Sequence, residues 1–591
     1  MANSLFRTKK IESIIGQEAD GTHSTGLKRV LSARDLTFFG IAAILGAGSF
    51  SSLGGAVFHG GPGVLVLFVI TAIACGFTAF CYSEFASRIP VAGSAYTYAY
   101  ASFGELFAWI IGWALIMEYS IGNIYVAFSW SDYFTSFLDK TGWHIPDYLT
   151  TSYLEAKHAV ERGSTNTSEL AAWANAPVIG GWRFIVDLPA LVINALITYL
   201  VYRGVKESRN FSNVMVILKL AVVALIILVG GFLVFSKGLT FNWTPANEVG
   251  IHSFMPEGFS GVMAAVSGVF FAYIGFDAVS VLAEESKNPQ RDLPRGMILS
   301  LVICTVIYIL LSLVLTGAVH YKNFDGVGDP LAFIFEKQNL NVGIMQLIIS
   351  VAAVVAMTSV LLVFQMGQPR IWMSMSRDGL LPPIFQRIHP KFKTPSFSTI
   401  VTGMVVGVPI LFTDKTFVLD FTSIATLFAF VLVCGGVLLI PARPKEPGKF
   451  HLPYINGEII FPVIVVLAMA TAVYISNDYF TNLFVFDFSG NTDYVEKKIS
   501  FMDAATPQIS LIIFWVSALV LAVLAAVKKY SLIPLLGLTT CLYLLTGMTS
   551  ANWAWFLGWL LIGIIFYFLY GYRKSKLALL EAAKEESELR L

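Results

Sequence analysis

Three ionisable side chains stand where a bilayer offers them little water. Asp277 follows the apolar run VFFAYIGF, Glu118 lies inside GWALIMEYSIGN, and Lys219 lies inside VMVILKLAVVAL. A charge within a hydrophobic span is expensive and by default marks a functional position. Gly275 sits just before Asp277, where a helix opens without a Cβ penalty. Asp277 therefore has two readings. Either the last turn of a helix has reached the wet interface, or the helix is broken at a substrate site near the middle of the membrane. Glu118 and Lys219 have opposite signs and can form a structural salt bridge. Their other reading is coupling: a lysine ammonium takes the place of a sodium ion, held by carbonyls that an unwound helix has freed, and binds and releases a proton during a cycle.

A second interruption lies in FGIAAILGAGSFSSLGGAVF, residues 39–58. Gly46-Ala47-Gly48 breaks that run a third of the way in. Small residues serve close helix packing in membranes. They also serve unwinding, which leaves bare N–H groups able to hold a carboxylate. Interrupted helices at corresponding positions of two halves are the sequence pointer to a transport site.

The elements that must position these residues are membrane spans. The chain has 591 residues, 56% hydrophobic and only 13% charged, with a mean hydropathy of +0.71. Soluble domains carry about a quarter charged residues. Windows of about twenty apolar residues fall near 36–58, 63–87, 104–137, 184–202, 212–236, 259–284, 297–320, 342–372, 397–413, 417–441, 459–476, 509–527, 531–548 and 551–572, about fourteen spans. The interruptions fall in spans 1 and 6, the first members of two consecutive five-span sets. With the N-terminus in the cytoplasm, about 28 Lys and Arg fall inside and about 10 outside. The even span number then places the C-terminus inside too. Residues 1–34 are polar and show no cleavable signal peptide, so the first span is expected to be its own targeting signal. Cys75, Cys81, Cys304, Cys434 and Cys541 lie in apolar runs at spacings that fit neither a metal site nor a disulfide framework, which leaves packing as their role.

Four stretches carry a resemblance: LKRVLSARDLTFFGIAAILGAG (27–48), CYSEFASRIPVAGSAYTYAYASFGELFAWIIGWALIMEY (81–119), FFAYIGFDAVSVLAEESKNPQRDLPRG (270–296) and MSRDGLLPPIFQRIHPKFKTPSFST (375–399). Through them the chain resembles the cationic amino acid transporter family of the amino acid–polyamine–organocation (APC) superfamily, over roughly residues 5–450. Beyond about residue 455 only the hydropathy is similar. The resemblance implies an all-α polytopic membrane protein with a five-plus-five inverted-repeat transporter fold, broken in spans 1 and 6, plus about four additional C-terminal spans. The implied layout is a cytoplasmic tail at 1–35, a first repeat at 36–236, a second at 259–441, accessory spans at 459–572 and a cytoplasmic tail at 573–591. The glycine motif falls on Gly46, Ala47 and Gly48 and is expected to bind the substrate carboxylate. The span 6 motif falls on Phe271, Ala272 and Ile274, whose carbonyls would hold the amino group, with Phe271 as a gate. Ile44, Ser49 and Asp277 complete the expected substrate surroundings. Lys219 and Glu118 fall on the residues implied in proton coupling. This chain departs from the family pattern at Ala47, Ser49 and Ser51, and in span 3 at Asn123, Tyr125 and Asp132.

The expectation is a secondary active carrier in the plasma membrane that takes up an L-amino acid, cationic or small neutral, together with a proton by alternating access. An amino acid exchanger on the same fold is the alternative, and a non-transporting amino acid receptor a third. The expected partners are the amino acid, the proton and the lipid bilayer, with no nucleic acid. No metal-ligand cluster or nucleophile–base pair is visible, so neither enzyme chemistry nor a cofactor is expected.

Overall fold

The computed structural model describes residues 5–9, 11, 31–46, 48–90, 94–163, 167–204, 209–246, 252–392, 394–441, 444–486 and 501–580. A helix lies at each expected span. Span 1 is Ala33–Ile44, then Gly48–Ser52 and Leu53–Gly60. Spans 2 to 5 are Val64–Arg88, Glu105–Lys140, Leu188–Arg203 and Arg209–Ser236. Span 6 is Gly258–Ala264, Val266–Tyr273 and Asp277–Glu285. Spans 7 to 10 are Pro289–Ala318, Gly343–Arg377, Ser396–Ile410 and Lys415–Leu439. Spans 11 to 14 are Gly457–Ile475, Phe501–Lys528, Leu532–Leu545 and Ser550–Phe566. Among the described residues nine helices are long and apolar enough to cross a membrane, counting Gly48–Arg88 as one. The pair Gly258–Ala264 and Val266–Ser280, bent by 45°, makes one more. Leu188–Arg203, Ser396–Ile410 and Leu532–Leu545 are apolar but shorter.

Two helices start earlier than their apolar windows: span 7, expected from 297, begins at Pro289, and span 12, expected from 509, begins at Phe501. Pro289 occupies the first turn, where its missing N–H would have had no intrahelical partner anyway. The Asn288 carbonyl accepts from the N–H groups of Arg291 and Asp292 and starts the helix.

Packing exposes a two-fold exchange between the five-span sets. Span 1 meets span 6 through their broken segments, span 2 packs on span 7, span 3 on span 8 and span 4 on span 9. Span 5 packs on spans 1, 7 and 8, and span 10 on spans 6, 2 and 3. Adding or subtracting five turns each contact into another, as an inverted repeat requires. Buried polar side chains join the sets: Gln365 of span 8 donates to Asn194 of span 4 at 2.7 Å, and Asn194 donates to the Gly403 carbonyl of span 9 at 3.0 Å.

The C-terminal spans dock on this core. Span 13 lies against span 10. Span 14 is pinned to span 3 by two reciprocal bonds: the Trp113 indole donates to the Trp559 carbonyl at 2.9 Å, and the Trp559 indole to the Trp113 carbonyl at 3.0 Å. Both ends of the chain share one face. Lys9 pairs with Asp378 at 2.6 Å, and the Ser575 hydroxyl donates to Glu105 at 2.5 Å. Residues 144–183 and 320–342 cap the opposite face with short helices and one hairpin, Val178–Ile179 with Trp182–Arg183.

Candidate functional site

The two interruptions face each other. In span 1 the Gly46 N–H turns to the Ile44 carbonyl at 2.9 Å instead of reaching Ala42, four residues back. That frees the Ala42 carbonyl. The chain resumes at Gly48 as a widened π-type turn, with the Ser52 hydroxyl bonded to the Gly48 carbonyl at 2.7 Å and to the Gly268 carbonyl of span 6 at 3.0 Å. In span 6 the helix stops at Tyr273. Ile274 is extended (φ −60°, ψ 137°), and Gly275 takes φ +116°, a conformation only glycine adopts comfortably. A Cβ on Gly275 would also lie 2.9 Å from the Ala43 side chain. A Cβ on Gly48 would lie 2.6 Å from the Ala272 Cα, so the two opened turns touch backbone to backbone.

Tyr308 of span 7 holds both openings. Its hydroxyl lies 2.9 Å from the Ile44 carbonyl and 2.6 Å from the Ala272 carbonyl. A hydroxyl has one proton to donate, so the two carbonyls share it. Buried carbonyls without a donor are costly in a membrane interior. Tyr308 therefore stabilises two breaks with one group, and it draws spans 1, 6 and 7 to one point.

A narrow cavity of about 10 Å3, room for about one water molecule, lies at this junction. Its walls are Ala43, Ile44 and Gly48 of span 1, Val126 of span 3, Phe271 and Ile274 of span 6, and Val360 and Phe364 of span 8. Four residues expected around the substrate, Ile44, Gly48, Phe271 and Ile274, line it. Gly46, Ser49, Ala272 and Asp277 do not, and Ala47 lies outside the described residues. A Cβ on Gly46 would sit 2.5 Å from Val360, and the Ser49 hydroxyl turns to the Gly46 carbonyl at 3.0 Å. Ala272 contributes the carbonyl that Tyr308 takes. Val126, Val360 and Phe364 went unnoticed in the sequence because apolar residues in apolar spans carry no signal.

Glu118 and Lys219 are both buried, 4% and 1% exposed. The Lys219 ammonium donates to the freed Ala42 carbonyl at 3.3 Å and to the Ser359 hydroxyl of span 8 at 2.7 Å. The lysine thus bridges spans 5, 1 and 8, because the break in span 1 offers it a carbonyl. Asp277 is 3% exposed, which removes the reading as a wet interfacial residue. Asp277 is the first residue of the helix that restarts span 6, where a carboxylate is favourable against the helix dipole.

A family model described as amino acid permease matches residues 31–486. The chain is 41% identical to the branched-chain amino acid permease BcaP of Bacillus subtilis, over 79% of this chain and 91% of that protein. It is 39% identical to the methylthioribose transporter of the same organism, over 78% and 90%. It is 31% identical to the vacuolar cationic amino acid transporter 2 of Arabidopsis thaliana, over 97% and 93%.

The chain belongs to the amino acid permease family, within the APC superfamily.

This permease is a multi-pass membrane protein whose function is amino acid transport. Similarity to the plant transporter spans the C-terminal region as well, further than the motifs reached. Phe271, the expected gate, lines the cavity and meets the Tyr125 ring edge-on, with centroids 4.5 Å apart. Such a ring pair is worth about 0.5–1.5 kcal/mol. Phe271→Ala is therefore expected to weaken apparent affinity by about tenfold, and to admit larger side chains through the smaller lid. Competition uptake assays with a series of amino acids measure both. Unchanged affinity and selectivity would return Phe271 to ordinary packing.

Proposed function

We propose that this permease takes up neutral amino acids with apolar side chains, driven by the proton gradient. The observation that carries the side-chain assignment is the cavity wall. Apart from Gly48, every lining residue named above is apolar, and none carries a carboxylate. A cationic side chain would have to give up its hydration without a counter-charge, whereas leucine, isoleucine or valine would be solvated by Val126, Val360 and Phe364. Similarity to a branched-chain amino acid permease supports the same reading. The substrate carboxylate would lie at the opened turn of span 1, by Gly48. Its ammonium would lie at the carbonyls of the span 6 break.

The proton assignment rests on Lys219. Its charge sits at a position bonded to a carbonyl that exists only while span 1 is unwound. Ligand and proton binding that share one structural element are linked reciprocally. We read the face holding both termini as cytoplasmic, on the distribution of Lys and Arg, and the membrane as the plasma membrane.

Thermal denaturation of the purified protein with each of the twenty amino acids, and with methylthioribose, at two pH values tests the ligand class. Leucine, isoleucine and valine are expected to raise Tm by several degrees at millimolar concentration, and arginine and lysine to leave it unchanged. A larger shift with arginine or lysine overturns the assignment, and one with methylthioribose moves it out of amino acids. Net uptake into empty proteoliposomes under a pH gradient separates symport from exchange.

A further inference from the structure

Above the cavity, on the face away from both termini, the structure carries a charged cluster. Lys415, the first residue of span 10, makes a short ion pair with Asp132 of span 3. Its ammonium also lies 3.5 Å from the Gly328 carbonyl, in the segment between spans 7 and 8, and 5.6 Å from the centre of the Tyr125 ring. The same Gly328 carbonyl accepts from the Ser51 hydroxyl of span 1 at 3.1 Å. A Cβ on Gly328 would come within 2.6 Å of the Asp132 carboxylate, so the loop backbone lies directly on the pair. One residue on, the Ser136 hydroxyl donates to Asp329 at 2.7 Å and holds the same loop to span 3.

We propose that Asp132 and Lys415, closed over by Gly328, form the outer gate of the permease, and that they must separate for substrate to enter from that face. The inference rests on the transport reading above. The layers stack in order from the cavity outward: Phe271, then Tyr125 edge-on to it, then the Lys415 ammonium over Tyr125, then the loop at Gly328. Every element that must move apart to open this path contributes at least one group. Span 1 gives Ser51, span 3 gives Tyr125 and Asp132, span 6 gives Phe271 and span 10 gives Lys415.

The chemistry suits a gate better than a structural tie. The Asp132 side chain is 31% exposed and that of Lys415 14%, so water reaches the pair from outside. A partly hydrated pair is worth little net free energy, because water replaces each partner. It closes the path while remaining easy to break. The capping helix Tyr153–Arg162 covers this end of span 10. On the same helix His158 contacts Asp414, the residue that caps span 10 through the Phe417 N–H. The capping helix thus sits on the very turn from which Lys415 projects.

The test uses the full-length protein with a reporter cysteine, Val126→Cys, in the cavity wall. The five native cysteines are all buried, which keeps background labelling low. A membrane-impermeant methanethiosulfonate is applied from the gate side. Asp132→Asn and Lys415→Gln are each expected to raise the labelling rate by about fivefold, the size expected of a partly hydrated pair. The exchange Asp132→Lys with Lys415→Asp is expected to bring the rate back toward that of the unexchanged reporter. Equal rates in all variants would overturn the proposal. A second variant, Asp132→Cys with Lys415→Cys, is bridged by a reducible thiol cross-linker. Uptake should stop on bridging and return on reduction, and full uptake by the bridged protein would also overturn the gate. Labelling reads the gate without substrate. Failure of the unmodified protein to take up any amino acid bears only on the transport reading.

Discussion

Gly48→Val is expected to abolish amino acid binding while the protein still inserts and purifies as a monodisperse species. The wild-type chain at this point has no side chain between span 1 and span 6. Even the first added carbon would lie 2.6 Å from the Ala272 Cα and 3.3 Å from its backbone nitrogen. Neither atom can rotate away, so the two opened turns must separate. Overpacking of this kind costs about 1–3 kcal/mol. Here the strain falls on the turn that lines the cavity and on the residue whose carbonyl Tyr308 holds. An affinity loss of about a hundredfold or more is expected, by the conversion of about 1.4 kcal/mol per tenfold. Ala272→Gly should not rescue it, since the closest clash is with the Cα rather than the methyl group. Radioligand binding in detergent, alongside thermal denaturation, measures the effect. Unimpaired binding by Gly48→Val would show that the substrate does not use the span 1 opening.

Lys219→Met should lose proton-driven accumulation, so that substrate inside and outside proteoliposomes equalises under an imposed pH gradient. Methionine keeps much of the bulk and removes the bonds made to Ala42 and Ser359. Hydrogen bonds from a charged donor are worth about 1.5–3 kcal/mol each, and a buried ammonium that has them is held at its post. With the charge gone, the proton no longer binds where it can sense the span 1 break, while counterflow exchange of substrate survives. The Ala42 carbonyl then lacks its donor, so some loss of thermal stability is expected as well. Lys219→Arg tests the geometry: it keeps the charge but not the compact ammonium, and it should not restore coupling. Accumulation driven by sodium alone, or undiminished proton-driven accumulation in Lys219→Met, would show a different coupling ion or a different residue.

Much of the architecture was legible without coordinates. Membrane spans announce themselves because each must be apolar for about twenty residues to satisfy the bilayer. The breaks at Gly46–Gly48 and Gly275 were visible for a related reason. Glycine and acidic residues are costly in an apolar helix, so their presence there needs a cause. Lys219 was picked out as a buried charge, and one option allowed for it, solvation by carbonyls of span 1, is the arrangement seen at Ala42. What the sequence left open was which groups the buried charges face. Glu118 and Lys219 have opposite signs and similar depth, but sequence does not give the rotation of one helix about its axis relative to another. The fold turns Lys219 toward spans 1 and 8.

By itself, then, the sequence determined the number and order of the spans, where two of them open, and which charges need an explanation. These follow from transfer free energies and backbone freedom, which are local properties of the chain. Tertiary structure alone decided which atoms share the opening. It placed Tyr308 between two freed carbonyls, set Val126, Val360 and Phe364 around the cavity, and joined Asp132 to Lys415, 283 positions away in sequence, beneath Gly328. Apart from Asp132, which departs from the family pattern, none of these residues stands out in its own segment. Their roles arise from helix packing, in which a rotation of one residue, about 100° in an α-helix, decides whether a side chain meets substrate, a neighbouring span or lipid.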